Sequence, residues 1–296
     1  CCCVLMGPGT ASCSVMCGKQ CSVSPPIRRR DEVLLERKNA VIYGGGGKVG
    51  GAVARAFARE GARVFLAGRT QSALESMAGQ IAASGGAVET ATLDALDEEA
   101  VDRHAEDIAQ KAGGIDVSFN AISHGDVHGI PLVDLSLDDF ARPITTATRS
   151  LFLTARAAAR QMVKRGSGVI MAITATTARM SIPEVGGTGV SFDAIESQCR
   201  QWACELGPHG IRVVWLQTTG LPEALAPGLE VFPGYGRSPG GMTRTEMIAW
   251  LQGETMLNRL TSLAELAEMA TFIASDRAGA MTASAANITC GGAPAR

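Results

Sequence analysis

Residues 43–51 read YGGGGKVGG, and the organisation of the whole 296-residue chain can be worked out from them. The stretch follows an apolar, β-rich run (39–43) and opens VGGAVARAFAREG (49–61), where apolar residues recur at helical spacing before a terminal glycine. Glycines at such a strand-to-helix turn let the backbone approach a phosphate closely, and the helix N-terminus offers free N–H groups to it. This context favours a nucleotide phosphate site over the alternative, a flexible turn.

Short apolar runs alternate with longer helical stretches along the chain. The runs predict strands at 39–44, 62–68, 87–93, 115–121, 168–174, 211–217 and 286–290. Their continuous apolar character is typical of strands covered on both faces. Alternation of strands and helices implies a parallel sheet wrapped by helices. The predicted fold class is therefore α/β, with a single Rossmann-type, doubly wound sheet of about seven strands flanked by helices.

The order of these elements also predicts where a ligand binds. Ligands of such sheets lie beyond the carboxyl ends of the strands. The loops expected around the site follow Tyr43, Ala67, Leu93, Asn120, Thr174 and Gln217. A Gly/Pro-rich insertion at about 221–250 is predicted as a lid or substrate loop, with plain disorder as the alternative. Its Met242, Met247 and Trp250 could form an apolar wall for a substrate or could simply pack a helix.

Composition and charge exclude several kinds of partner. The net charge is −2, which provides neither a basic surface for nucleic acid nor a polybasic membrane anchor. No apolar run approaches the ~18 residues needed to cross a bilayer. The predicted partner is a small molecule, with no nucleic acid and no membrane.

The cysteines divide the chain into two parts. Six of the nine fall within the first 21 residues, in a segment without histidine or ordinary zinc-ligand spacing. Residues 1–36 are therefore predicted to be a disordered Cys-rich extension and linker, and residues 37–296 a single folded domain. Cys199, Cys204 and Cys290 are interpreted as reduced packing residues of a cytoplasmic protein.

The end of the second strand indicates which dinucleotide is bound. An acidic residue at this point would hydrogen-bond the ribose of NAD, but the sequence reads AGRT, with Arg69 and no acid. A guanidinium suits a 2′-phosphate, so NADP(H) is predicted in preference to NAD(H). Lys48 is predicted to add a second cation near the phosphates. The alternative is that Arg69 is an ordinary solvated arginine.

Over roughly residues 37–292 the chain resembles the short-chain dehydrogenase/reductase family. That family opens with TGxxxGxG, which reads YGGGGKVG here, with Lys48 in place of the middle glycine. TLDA supplies Asp94 for the adenine, and the family's NNAG becomes NAIS, which retains Asn120 but has Ser123 in place of the glycine. The resemblance implies a cofactor site formed by Gly44, Gly45, Gly46, Gly47, Lys48, Val49, Gly50, Arg69, Asp94, Ala95, Asn120, Ala121 and Ile122.

The resemblance also shows where the chemistry departs from the family. The Asn–Ser–Tyr–Lys set that carries proton transfer in the family corresponds here to Ala147, Ala175, Thr188 and Phe192. The two tyrosines of the chain, at positions 43 and 235, cannot restore the pattern. A lysine-tuned phenol is thus missing, which removes a general acid ordinarily contributing ~10²–10⁴-fold to rate.

Three side chains are candidates for the missing chemistry. The hydroxyls of Thr174 and Thr188 could hydrogen-bond a substrate oxygen, and His124, in SHGDVHG (123–129), could donate a proton. The alternative for the histidine is a solvent-facing loop residue. No metal is predicted, because a His-x3-His pair needs a helix to bind one and the glycines of this stretch indicate a loop.

The predicted function is an NADP(H)-dependent oxidoreductase acting on a small carbonyl-like or otherwise polarised substrate with an atypical active site. The alternative is a catalytically silent relative that serves as a cofactor-binding sensor or a partner subunit, with a transferase or lyase as a third possibility. The resemblance further implies a homo-oligomer, a dimer or tetramer, that packs through helices corresponding to 144–164 and 188–206.

Overall fold

A seven-stranded parallel sheet forms the centre of the protein in the computed structural model, which describes residues 33–225, 231–232 and 242–293. The strands in chain order are β1 (Asn39–Tyr43), β2 (Arg63–Gly68), β3 (Val88–Thr92), β4 (Val117–Asn120), β5 (Gly168–Ala175), β6 (Ile211–Thr218), β7 (Val231–Phe232), β8 (Met242–Thr243) and β9 (Ser284–Asn287). The sheet has the order β3-β2-β1-β4-β5-β6-β9, while β7 and β8 form a separate antiparallel pair.

Helices cover both faces of this sheet. They are α1 (Lys48–Arg59), α2 (Gln71–Ala83), α3 (Glu98–Ala112), α4 (Leu137–Arg165), α5 (Thr188–Leu206), α6 (Arg244–Gly253) and α7 (Leu263–Ala274). Buried residues of α1, α2 and α7 share one hydrophobic core, and those of α3, α4 and α5 share the core on the opposite face. Along β1, Ile42 faces the first core, and its neighbours Val41 and Tyr43 face the second. The predicted doubly wound α/β fold is confirmed.

The strand order reverses between β1 and β4, which are neighbours in the sheet although two strands separate them in sequence. The chain leaves β1 for α1 on one face and leaves β4 toward α4 on the other. A crevice opens where such connections diverge, outside the carboxyl ends of the strands. The glycine turn 44–47 and the loop that begins at Ala121 form its two sides.

The start of α4 differs from the prediction. The helix begins at Leu137 instead of near residue 144, and the Ser136 hydroxyl caps it by accepting the N–H of Asp139 at 3.1 Å. Pro143 is tolerated inside the helix.

The predicted start of the folded domain and the predicted position of its last strand also differ from the structure. Leu35 is fully buried in the core, and its N–H donates to the Glu60 carbonyl at 2.9 Å, so residues 33–36 belong to the fold and not to the linker. The Cys-rich head, residues 1–32, lies outside the described residues. The last strand is found at 284–287, so it begins two residues and ends three residues earlier than predicted.

The predicted lid at 221–250 is partly helical. Its last residues belong to α6, where Met247 is buried against Leu251 and Leu260, and Trp250 packs on the same cluster. The two side chains therefore pack a helix. The remainder of the predicted lid, at 226–230 and 233–241, lies outside the described residues. In the described part of the chain, no helix is long and apolar enough to cross a membrane.

Candidate active site and cofactor cleft

A cleft of about 460 Å³ opens at the carboxyl ends of the strands. The loops after β1, β2, β3 and β4 line it, together with the first turn of α2 and the second and third turns of α4, whereas the described residues of the predicted loops after β5 and β6 do not. The lining residues are Gly44, Gly46, Gly47, Gly68, Arg69, Thr70, Ala73, Leu74, Leu93, Asp94, Ala95, Leu96, Ala121, Ile122, Ser123, His124, Gly125, Arg142 and Thr146.

The glycine turn packs tightly against the loop after β4. Gly44 has a φ of +83°, and a Cβ on it would lie 2.4 Å from the carbonyl oxygen of Ala121. A Cβ on Gly50 would lie 2.4 Å from the carbonyl oxygen of Gly44. Side chains are excluded at both positions, so the turn keeps its backbone close to the cleft.

The N-terminus of α1 fits an anionic group. Gly47 is its N-cap and provides no side chain to accept the first-turn N–H groups, which have no acceptor within the helix. Phosphate is a common ligand of such a helix end. Gly45, Lys48, Val49 and Gly50 do not line the cleft: the Lys48 side chain is exposed, and the other three support the turn from behind.

The end of the cleft beyond β2 is cationic. Arg69 is exposed and lines the cleft beside Thr70, the N-cap of α2, whose hydroxyl accepts no capping hydrogen bond. In the described part of the chain Arg69 makes no ion pair. A guanidinium, a free hydroxyl and a helix N-terminus together form a set of donors suited to a phosphate.

The remaining predicted cofactor residues shape the two loops opposite. Oδ1 of Asp94 accepts the N–H of Leu96 at 3.0 Å, which fixes the loop that carries the buried Ala95. Asn120 is buried below the cleft and does not line it. Its Nδ2 donates to Oγ1 of Thr154 at 3.1 Å, and its Oδ1 accepts the N–H of Ile122 at 3.2 Å. Asn120 therefore ties the cleft loop to α4.

His124 lines the cleft together with Ser123 and Gly125 of the loop after β4. This part of the cleft is called its inner end. Its side chain is buried, and its ring packs on Phe192 with the ring centroids 5.5 Å apart and the planes inclined at 59°. Burial lowers the pKa of His124, and the negative charge of Asp126 opposes that shift. The residue that replaces the family lysine therefore contacts the histidine predicted as proton donor.

Thr188 contacts the same loop from α5. Its hydroxyl donates to Oδ1 of Asp126 at 3.1 Å and lies 2.9 Å from Nε2 of His128. Because an ionised carboxylate only accepts, the single hydroxyl proton points to Asp126, and Nε2 of His128 carries the proton shared with Thr188. The loop is irregular as predicted, with positive φ at Gly125 and Gly129. No group of three metal-ligating side chains occurs among the described residues.

Thr174 faces away from the cleft. It is fully buried, and its hydroxyl donates to Oε1 of Glu196 at 3.3 Å. The same oxygen accepts Nε2 of Gln217 at 3.1 Å, while Arg179 donates to Oε2 of Glu196. The predicted role of Thr174 as a substrate contact has no support from this placement. Of the other replaced positions, Ala147 is fully buried and Ala175 is half-buried at the end of β5.

Two lining residues were missed from the sequence. Arg142 and Thr146 lie one turn apart on α4, and Arg142 is paired with Asp139, Nη2 to Oδ1, at 2.5 Å. Their four-residue spacing places them on a common helix face, but the helix implied by the family resemblance covered only 144–164.

Comparison with known proteins agrees with this architecture. Residues 48–292 match the family model described as Enoyl-(Acyl carrier protein) reductase. The chain is 31% identical over 252 residues to the uncharacterized oxidoreductase YxbG of Bacillus subtilis, with 84% of this chain and 88% of that protein covered.

Two solved structures have the same fold. The NAD⁺-bound xylitol dehydrogenase superimposes with a TM-score of 0.79 at 24% identity, covering 87% of this chain and 99% of that one. A gluconate 5-dehydrogenase from Burkholderia cenocepacia J2315, in complex with NADP and tartrate, gives a TM-score of 0.76 at 22% identity, covering 88% and 97%. The family model spans the chain from the first helix to the last strand, and the Bacillus relative covers 84% of it. The chain therefore belongs to the short-chain dehydrogenase/reductase family of oxidoreductases.

Proposed function

We propose that the protein is an NADP(H)-dependent oxidoreductase that acts on a small carbonyl-like or otherwise polarised substrate with an atypical set of proton-transfer residues. The observation that carries the proposal is the pairing of Arg69 with the free N-terminus of α2 at the ribose end of the cleft. No acidic side chain lies in this loop to hydrogen-bond an unphosphorylated ribose.

The cofactor preference rests on Arg69, because the fold neighbours do not decide it. One is described with NAD⁺ and another with NADP. A phosphate gains charge-assisted hydrogen bonds from a guanidinium, whereas a bare ribose hydroxyl gains far less. The residues that would hold the dinucleotide are the glycine turn with the first turn of α1 for the pyrophosphate, Arg69 and Thr70 for the 2′-phosphate, and Asp94 with Ala95 for the adenine.

The substrate end of the cleft sets the kind of molecule that fits. When bound, the nicotinamide supplies the hydride, so the protein must orient an electrophilic carbon and manage one proton. Ser123, His124 and Gly125 line this end. Ser123 and His124 provide polar groups here, and Thr188 stands where the family has its phenol, which favours a compact substrate whose C=O or C=N bond is already polarised.

We also propose that the protein assembles into a cytoplasmic homo-oligomer through α4 and α5. Phe152 on α4 is 45% exposed, and its ring lies 5.8 Å from that of Trp202 on α5. An apolar pair left at the surface across two packed helices is suited to burial against a second copy.

Titration of the protein with NADPH and NADH, followed by cofactor fluorescence, tests the binding proposal. We expect tighter binding of NADPH. Arg69→Ala should weaken NADPH binding about 10- to 100-fold, which corresponds to the loss of one charge-assisted hydrogen bond, and should change NADH binding less than about twofold. Arg103→Ala, an exposed arginine of α3 outside the cleft, is the matched control. Preference for NADH, or no binding of either, would contradict the proposal.

A panel of small ketones, aldehydes and cyclic imines then tests turnover with NADPH. Reduction of any member supports the oxidoreductase. Tight NADPH binding without reduction of any member would favour the alternative, a catalytically silent cofactor-binding protein.

A further inference from the structure

The two positions that carry the catalytic tyrosine and lysine elsewhere in the family are occupied here by residues that contact one loop. Thr188 hydrogen-bonds Asp126, and Phe192 packs against His124. Both contacts join α5 to the segment 123–128, across more than 60 residues of sequence. Of these four residues, His124 is the one that lines the cleft.

From this arrangement we propose that His124 is the proton donor and acceptor of the enzyme, that Asp126 is its charge partner, and that Thr188 and Phe192 are positioning residues. This inference rests on the proposed function, because it names the residue that exchanges a proton with the substrate at that same site.

Phe192 stands where the family has its lysine, and its contact with His124 explains why replacement of that lysine favours a histidine as proton donor. A lysine ammonium at this position would repel a protonated imidazole a few ångströms away and would favour its neutral form. An aromatic ring carries no charge, and its face attracts a cation. The ring also restricts rotation of the His124 side chain, which holds it at the inner end of the cleft.

Thr188 stands where the family has its tyrosine, and its hydrogen bond to Asp126 explains why a hydroxyl is still needed at this position. By donating to Oδ1 at 3.1 Å, the hydroxyl fixes the orientation of the Asp126 carboxylate. His128 supports the hydroxyl from the other side at 2.9 Å. An ionised Asp126 favours the protonated form of His124, and burial disfavours it. Burial is the larger of the two effects, so the pKa of His124 stays below its ordinary value, and Asp126 limits that decrease.

The charges around His124 are few. Asp126 and His128 lie on the same loop, and α4 contributes Arg142, whose guanidinium is paired with Asp139. The residues that α5 contributes, Thr188 and Phe192, are uncharged. Of these charged groups, Asp126 is the one that favours protonation of His124.

The reaction balances with one proton from this pair. As the carbonyl carbon receives the hydride with its two electrons, the C=O π pair moves to the oxygen. The imidazolium of His124 gives its N–H proton to that oxygen, an O–H bond forms, and a neutral imidazole remains. In the reverse direction the neutral imidazole accepts the hydroxyl proton of the alcohol. One carbonyl, one hydride and one proton thus give one alcohol.

The first test removes the imidazole. His124→Gln should lower kcat about 100-fold or more at neutral pH while the Kd for NADPH changes less than about threefold. His209→Gln, which removes an exposed histidine after α5, is the control and should leave both quantities unchanged. A kcat within threefold of the wild type in His124→Gln would overturn the proposal.

The second test separates positioning from simple loss of structure. In Asp126→Asn the decline of the reduction rate at high pH should move to lower pH, because the imidazole loses its charge partner. Thr188→Val should move it in the same direction, and Thr188→Ser, which restores the hydroxyl, should return it to the wild-type position. A decline that stays in place in both Asp126→Asn and Thr188→Val would overturn the role of the pair.

The third measurement does not depend on turnover. NMR titration of the His124 imidazole in the protein without nucleotide should give a lower pKa in Asp126→Asn and in Thr188→Val than in wild type or Thr188→Ser. An unchanged pKa in both would overturn the pairing even if NADPH binds and substrates are reduced. Failure to bind NADPH would instead contradict the proposed function and leave this titration intact as a test of the pair.

Discussion

Arg179 donates two hydrogen bonds to the carboxylate of Glu196, from Nε at 3.1 Å and from Nη2 at 2.6 Å, and the Glu196 side chain is entirely shielded from solvent. A buried charge with its partner removed is strongly destabilising, although Thr174 and Gln217 would still donate to the other oxygen. We therefore expect Arg179→Leu to lower the free energy of unfolding by about 2 kcal/mol, less than the full cost for an isolated pair because this arginine is half exposed.

Urea unfolding followed by circular dichroism measures that loss. Arg200→Leu provides a matched control, because its guanidinium lies 3.9 Å from the same carboxylate and is also about half exposed. Its effect should stay below about 1 kcal/mol. Equal losses in the two variants would contradict the assignment of Arg179 as the principal partner.

Two glycine variants should change stability in opposite directions. Gly44→Ala places a Cβ 2.4 Å from the Ala121 carbonyl oxygen at a φ of +83°, so it should cost about 2 kcal/mol or more and weaken NADPH binding at least tenfold.

Gly79 lies within α2, where an added Cβ meets nothing within 4 Å. Gly79→Ala should stabilise the protein by about 0.5–1 kcal/mol. Thermal unfolding and NADPH fluorescence report both effects, and a stable Gly44→Ala variant with normal binding would refute the first.

The phenol of Tyr43 should be dispensable. Tyr43 is fully buried at the end of β1, burial and the nearby Asp102 raise its pKa, and in the described part of the chain its hydroxyl has no hydrogen-bond partner. Tyr43→Phe should leave the free energy of unfolding unchanged or raise it by up to about 1 kcal/mol, because it removes an unpaired polar group. A destabilisation above 1 kcal/mol in urea unfolding would show that the hydroxyl has a partner.

Stability should depend on pH through His104, whose ring meets that of Tyr43 edge-on with centroids 6.1 Å apart. Burial lowers the pKa of His104 to about 4 in the folded protein, against an ordinary value of 6.5. Between these values the unfolded chain binds more protons, so stability should fall as the pH drops from about 6.5 to about 4 and be constant above that range. The histidine contributes up to about 3 kcal/mol to this fall. His104→Gln should flatten the slope in urea unfolding at successive pH values, and an unchanged slope would refute the assignment.

The oligomer should depend on the apolar pair across α4 and α5. Phe152→Glu places a charge beside Trp202 and should convert the assembly to a monomer, measured by light scattering after size-exclusion chromatography. Val33→Glu changes an apolar residue of similar exposure that belongs to neither helix, and it should leave the assembly intact. A wild-type protein that is already monomeric would contradict the proposed oligomer itself.

The sheet could be predicted because most of its strands are apolar on both faces. IRVVWLQ, for example, was placed within one residue of β6. The exception is β9, whose sequence SAAN consists of small residues with low β-propensity. The nearby Ile288 has a higher β-propensity, so the predicted strand lies closer to the C-terminus than β9 does. The glycine turn, Arg69 and Asp94 could be assigned to one cleft because parallel strands end at the same edge of the sheet.

The chemistry at the inner end could not be predicted in the same way. Thr174 ends a strand at the predicted edge, yet its hydroxyl turns to Glu196, which lies 22 residues away on α5. The bond between Thr188 and Asp126 joins residues 62 positions apart, and no periodic pattern encodes it. Such contacts are set by how α5 packs against the loop after β4, which a single sequence does not specify.

The left-handed backbone at Gly125 and Gly129 has a consequence for the engineering of this scaffold. In the family, the tyrosine and lysine lie four residues apart on a helix. They can be repositioned only by shifting that helix along its sequence, which also changes the residues that it packs against the core. A histidine on the irregular loop after β4, such as His124 directly before Gly125, can be shifted by inserting or deleting a loop residue without repacking the sheet. We therefore expect the proposed proton donor to be exchangeable by transplanting this loop, while the sheet and its helices stay unchanged.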